Sequence, residues 1–107
     1  MILKIDSTEG EIKVTLFDKD NKKDELKIKQ KLGSQALLPL IVAILKKNKI
    51  NLEDLSEVKV NPGPGSFTGS RVGVSVANAL GFALNIPVNN KQGKIVVPKY
   101  AKSKFDE

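Results

Sequence analysis

Three stretches carry residue types able to do chemistry. Asp6-Ser7-Thr8 places a carboxylate beside two hydroxyls, a set that can hold a metal-bound phosphate or simply close a strand with a turn. Asn61-Pro62-Gly63-Pro64-Gly65-Ser66-Phe67-Thr68-Gly69 is a glycine-rich loop ahead of a helix, where backbone N–H groups often cradle anions. It fits neither common phosphate fingerprint. A Walker loop needs Gly-Lys followed by Ser or Thr, and here Gly69 is followed by Ser70-Arg71. The dinucleotide pattern fails because Thr68 stands where its third glycine belongs. Two prolines also remove N–H donors, so a rigid structural turn is the favoured reading. The third stretch is a carboxy-terminal run of lysines: Lys91, Lys94, Lys99, Lys102 and Lys104.

Cys and His are absent. That removes thiol nucleophiles, Ser–His and Cys–His pairs and most nitrogen- or sulfur-ligated metal sites. No catalytic residue, cofactor or metal is expected. The net charge of +6 would suit a nucleic-acid partner, yet 17 of the 18 cations are Lys, and the five aromatic residues are scattered. Bidentate phosphate recognition favours Arg, so a solvated lysine surface is preferred over a nucleic-acid footprint. The start is too short and too soon charged for a signal peptide, and the apolar run Ala36 to Leu45 is too short to span a bilayer. A cytoplasmic, soluble protein is expected.

With 107 residues there is room for one small domain. Apolar residues alternate at Met1, Leu3, Ile5, then Ile12, Val14, Leu16, then Leu26 and Ile28, which predicts three strands joined as antiparallel hairpins, each with one buried face. Ser34 is a good N-cap for a helix over Gln35 to Asn48, with Pro39 bending it slightly, and Asn51 to Asp54 reads as a capped single turn. A strand follows over Glu57 to Asn61. Ser66 caps a helix over Phe67 to Leu84 that Asn85 ends in the left-handed region, and Ile86-Pro87-Val88 is a final short strand. The predicted order β-β-β-α-β-α-β gives an α/β lobe with a mixed five-stranded sheet and both helices on one face. Residues 1–88 form the lobe; 89–107 form a lysine-rich tail.

Both helices pose a packing problem. Ala36 to Leu45 is apolar on every side, whereas one sheet covers only a stripe of a helix. In the second helix Gly69, Gly73, Ala77 and Gly81 recur four apart, and glycine inside a helix costs about 1 kcal/mol relative to Ala unless another backbone comes close. That row can pack on the protein's own sheet or dock a second subunit. Docking is favoured, because so short a chain cannot cover an all-apolar helix by itself.

These segments together resemble the TsaB family: Met1-Ile2-Leu3-Lys4-Ile5-Asp6-Ser7-Thr8, Gly33-Ser34-Gln35 with Leu37-Leu38-Pro39-Leu40, Pro62-Gly63-Pro64-Gly65-Ser66-Phe67-Thr68-Gly69-Ser70-Arg71-Val72-Gly73, and Asn85-Ile86-Pro87-Val88. The glycine-proline run with Arg71-Val72-Gly73 is the specific part. The resemblance implies a single ribonuclease-H-like, actin-like ATPase lobe, similar to the amino-terminal lobe of the family. It implies a non-catalytic subunit of the machinery that makes N6-threonylcarbamoyladenosine next to the tRNA anticodon. The partners implied are TsaD, docked through the two helices, and TsaE, with self-association as a homodimer in isolation and tRNA met only within the complex. The docking surface is then expected at Leu37, Leu40, Ile41 and Ile44 with Gly69, Arg71, Gly73, Ala77 and Gly81, and Asp6, Ser7 and Thr8 are a vestigial phosphate loop.

Three departures stand out. Gly33 replaces the family's usual His. The chain has roughly half the family length, so the second lobe and its nucleotide cleft are missing. A lysine-rich segment with Pro98-Lys99-Tyr100 follows Val88. Two rival readings remain at this stage: a remnant actin-like nucleotide binder or ATPase using Asp6, Ser7 and Thr8, and a small basic tRNA-binding module using the tail lysines.

Overall fold

The computed structural model describes residues 1–7, 11–29, 36–63, 67–91, 93, 96 and 97, with the helix backbone alone at 67–70. Strand β1 (Ile2–Asp6) sits between antiparallel β2 (Glu11–Asp18) and parallel β4 (Glu57–Val60), and β3 (Asn21–Lys29) lies outside β2, giving the order β3-β2-β1-β4. The alternation in the sequence fixes the register. Leu3 faces Leu16 and Val58, Ile5 faces Val14 and Val60, and Ile12 faces Ile28, so the apolar residues fall on one side. Lys4, Lys13 and Lys59 fall on the other and are exposed. The β2–β3 connection turns at Lys19-Asp20, with Lys19 at φ 58°. The expected Glu9-Gly10 turn, Thr8 and the Ser34 and Ser66 caps lie outside the described residues.

Both helices cover the apolar side. Helix α1 (Leu37–Lys47) packs over β2 and β3, and α2 (Phe67–Leu84) over β4 and β1. Leu3, Ile5, Val14, Leu16, Leu37, Ile44, Val58 and Ala77 are fully buried between the layers. Helix α1 begins at Leu37, two residues later than expected, with Ala36 as an N-cap that makes no side-chain bond. Pro39 therefore occupies the first turn, where its missing N–H would have had no partner in the helix, and no bend is needed to house it. Helix α2 has the expected bounds, and Asn85 ends it at φ 55°.

The fifth strand is a correction. Among the described residues the sheet has four strands, and Val88 makes only a single parallel bridge to Val58. Val58 donates to the Pro87 carbonyl and accepts from the Asn89 N–H. Pro87 has no N–H to extend that pairing, and Asn89 and Asn90, both at positive φ, immediately turn the chain into a tight hairpin closed by Val88 and Lys91. The Asn89 side chain continues the edge by other means. Its Oδ1 accepts from the Val60 N–H at 2.8 Å, and its Nδ2 donates to the Val60 carbonyl at 2.9 Å.

One carboxylate fastens α1 to the sheet. Asp24 on β3 accepts from Asn48 Nδ2 at 2.9 Å, from the Glu25 N–H at 2.8 Å and from Lys47 Nζ. The Asn48 bond foremost, with the Glu25 N–H and Lys47, holds the Asp24 carboxyl below its usual 3.8. A lowered carboxyl favours folding wherever it is ionised in both states. That stability is complete above the ordinary value and is lost as pH falls through the native one. Thermal melts taken from neutral pH down to about pH 2 are expected to show the wild type losing stability on the acid side more steeply than Asp24→Asn; parallel curves would remove Asp24 from this role.

Candidate docking surface

The sheet buries one stripe of α1, made by Leu37, Ile41, Ile44 and Leu45. The opposite stripe is turned to solvent, and it is also apolar: Leu38 is 56% exposed and Val42 49%. On α2 the inward residues are Gly73, Val74, Ala77 and Gly81, and the outward stripe runs Arg71, Ser75, Ala79, Phe82, with Phe82 91% exposed. Between the helices lies an open groove of about 280 Å³ lined by Leu38, Arg71, Val72, Ser75 and Val76. A half-buried Val72 and Val76, spaced one turn apart, form its floor. Of the exposed large apolar side chains on the helices, Leu38 lines this groove, Val42 lies one turn further along α1, and Phe82 stands on the outward stripe of α2.

The expected docking residues divide. Leu37, Ile41 and Ile44 belong to the protein's own core, and Leu40 is half-buried at its margin. Gly73, Ala77 and Gly81 face inward as well. A Cβ placed on Gly73 would lie 2.5 Å from Ser7 Oγ and 3.6 Å from side-chain carbons of Ile5 and Val60, and one placed on Gly81 would collide with Val88. The small-residue row is thus real evidence of close approach, but what approaches is the protein's own: the Ser7, Ile5 and Val60 side chains at Gly73, and Val88 with the Ile86 carbonyl at Gly81. Gly69 lies in the first turn of α2, with surroundings outside the described residues. Arg71, of the nine, lines the outer groove.

Leu38, Val42 and Phe82, the large apolar side chains exposed on the two helices, are not among the expected docking residues. The sequence held a signal for the first two: Lys46 must reach water, and Leu38 and Val42 lie on its row, eight and four residues earlier. No comparable signal singles out Phe82.

The suggested phosphate loop is also rearranged. Ser7 is fully buried against α2, which takes its hydroxyl away from any ligand above the sheet. Asp6 accepts from Asn61 Nδ2 at 3.3 Å and borders an open depression of about 380 Å³ with Lys4, Lys59, Asn61, Asn89 and Asn90 at the carboxyl ends of β1 and β4. Thr8 lies outside the described residues. Among the described residues no three carboxylates stand together as metal ligands would, and no helix is long and apolar enough to cross a membrane.

Fold and surface together define a small α/β lobe, a mixed sheet carrying two helices on one face, with an apolar groove between them turned outward. Residues 27–99 match the family model for TsaD, tRNA N6-adenosine threonylcarbamoyltransferase. Among curated proteins, the chain is 34% identical over 86 residues to the tRNA threonylcarbamoyladenosine biosynthesis protein TsaB of Buchnera aphidicola subsp. Baizongia pistaciae, a match covering 80% of this chain and 39% of that protein. It is 33% identical over 89 residues to TsaB of Bacillus subtilis, covering 82% of this chain and 39% of the relative. Among solved structures, YeaZ from Pseudomonas aeruginosa superposes with a TM-score of 0.75 at 28% identity, covering 81% of this chain and 41% of that one. The chain belongs to the TsaD family, and over about four-fifths of its own length it is similar to TsaB proteins. It spans about two-fifths of the length of the curated relatives it matches.

Proposed function

We propose that this chain is a non-catalytic subunit of the tRNA N6-threonylcarbamoyladenosine machinery, and that it docks onto a TsaD-type transferase through the outer face of α1 and α2. The observation that carries the reading is the exposed apolar stripe of Leu38 and Val42 beside the groove over Val72 and Val76. A scaffold role needs a complementary surface and no reacting groups, and this chain has neither Cys nor His and a buried Ser7 where a phosphate-facing hydroxyl was expected. The partner is chosen from the similarity to TsaB, a tRNA threonylcarbamoyladenosine biosynthesis protein. In the absence of TsaD the same face pairs two copies of the chain; TsaE is a further member of the assembly.

Absolute mass by light scattering after gel filtration tests this. The chain alone is expected to be a homodimer, and an equimolar mixture with TsaD to run as a one-to-one complex. A monomer whose elution TsaD leaves unchanged would reject the docking reading.

A further inference from the structure

The side of the sheet away from the helices has a pattern that docking does not use. Register places Lys27 directly opposite Lys13, and Lys4 directly opposite Lys59. Lys13 and Lys4 lie on neighbouring strands two residues out of step, since Asp6 faces Lys13 and Thr15 faces Lys4. The four lysines therefore form a diagonal stripe, one from each strand in the order β3-β2-β1-β4. At the usual strand spacing it is roughly 15 Å wide. All four are exposed, and among the described residues none of them makes an ion pair.

Like charges directly opposite on a ladder are unfavourable. The carboxylates of this face relieve them only in part. Asp6 lies directly opposite Lys13, and Asp6 and Glu11 border one depression with Lys13 and Lys27. Glu25 is held by Lys22 at 3.1 Å and by the Thr15 hydroxyl, and Glu57 accepts from the Asn90 N–H at 3.0 Å. Lysines still outnumber carboxylates along the stripe, and a polyanion lying over it would offset the repulsion of the two cross-strand pairs.

An aromatic ring sits beside the stripe. Phe17 is half-buried on the same side and lines a depression of about 220 Å³ with Lys4, Lys13 and Lys22, and with Asp6, Thr15 and Glu25. The sequence shows scattered aromatics, because Phe17 is separated along the chain from three of these lysines; the ladder brings them together. A flat lysine field with a ring at its margin suits phosphates spaced along a strand and a base laid on the ring. An acidic peptide would use the lysines and leave the ring idle.

We propose that the open face of the sheet binds the ribose-phosphate backbone of RNA, with Lys4, Lys13, Lys27 and Lys59 on phosphates and Phe17 under a base. The choice of RNA rests on the tRNA-modification reading above; the surface itself rests on the register and the lysine pairs.

The test uses the full chain and fluorescently labelled bulk tRNA, read by anisotropy. Four phosphate contacts to a single strand predict that affinity falls about fifty-fold between 50 and 200 mM salt. Lys13→Gln with Lys27→Gln is expected to weaken binding and to lower the salt slope by about 1.4. Phe17→Leu is expected to weaken it roughly tenfold with the slope unchanged. Changing Lys99, Lys102 and Lys104 to Gln is expected to have little effect. The proposal is overturned if tRNA does not bind at low salt, if binding follows the tail lysines instead, or if polyglutamate competes as strongly as tRNA. Light scattering with TsaD contains no RNA, so docking and RNA binding can fail separately.

Discussion

Gly73→Leu is expected to destabilise the fold strongly. No ordinary Cβ contact is as short as the 2.5 Å that any side chain at this position would make with Ser7 Oγ, and the leucine branches would then meet Ile5 and Val60, 3.6 Å from the same Cβ. Ser7, the residue after β1, is completely buried, so its hydroxyl has no solvent to turn into. Helix α2 would have to lift from the sheet and would take Val74 and Ala77 out of the core with it. Overpacking in a core typically costs about 1–3 kcal/mol, and a leucine driven among the Ser7, Ile5 and Val60 side chains lies at or above the top of that range. A domain of this size has about 5–15 kcal/mol in all, so the variant loses a large share of its stability. Urea denaturation followed by circular dichroism measures the loss. The smaller change Gly73→Ala is expected to cost about 1–3 kcal/mol, and to cost markedly less when Ser7→Ala removes the hydroxyl it strikes. An unchanged midpoint in Gly73→Leu would mean that α2 presents this row to solvent after all.

The opposite outcome is expected of Leu38→Lys combined with Val42→Lys. Both side chains are half-exposed, so lysines there can reach water and folding stability is expected to stay within about 0.5 kcal/mol of wild type. Placing two charges in the centre of an apolar docking face desolvates them without partners. A penalty of about 3 kcal/mol or more, over a hundredfold in affinity, follows for TsaD binding and for self-association alike. Calorimetric titration with TsaD, with a melting curve as the folding control, separates this result from simple unfolding. Undiminished binding by a folded double variant would move the interface elsewhere.

The two experiments exchange the roles that the helices were assigned from sequence. An uninterrupted apolar helix such as Leu37 to Leu45 has almost no contrast between its sides, so periodicity cannot say which stripe the sheet takes; that choice is made by where β2 and β3 lie beneath it. Lys46 was the one landmark, and its row identifies Leu38 and Val42 as the solvent side. The glycine row was read correctly as a close approach, but nothing local distinguishes a foreign backbone from β1. The three amino-terminal strands were legible because Leu3, Ile5, Val14 and Leu16 alternate without interruption, and α2 because proline, glycine and Asn85 bound it clearly. The fifth strand failed at Pro87 and the Asn89-Asn90 turn, where backbone donor supply and positive φ outweigh the apolar character of Ile86 and Val88. The lysine stripe was invisible because its members lie 9 to 55 positions apart along the chain and only the β3-β2-β1-β4 order lines them up.

The two rims of the sheet differ in how they meet other sheets. At β4 the rim is sealed by Val88 and by the Asn89 amide, which uses the donor and acceptor that Val60 would otherwise offer to a passing strand. At β3 the rim is open over nine residues, but it carries Lys22, Lys23, Lys27 and Lys29. Two copies meeting there would bring four lysines from each against only Asp24 and Glu25, an excess of like charge. Growth of the sheet from molecule to molecule, the first step toward a fibril, is therefore blocked by geometry on one side and by repulsion on the other, which leaves the helical face as the route by which this protein can join others in an orderly way.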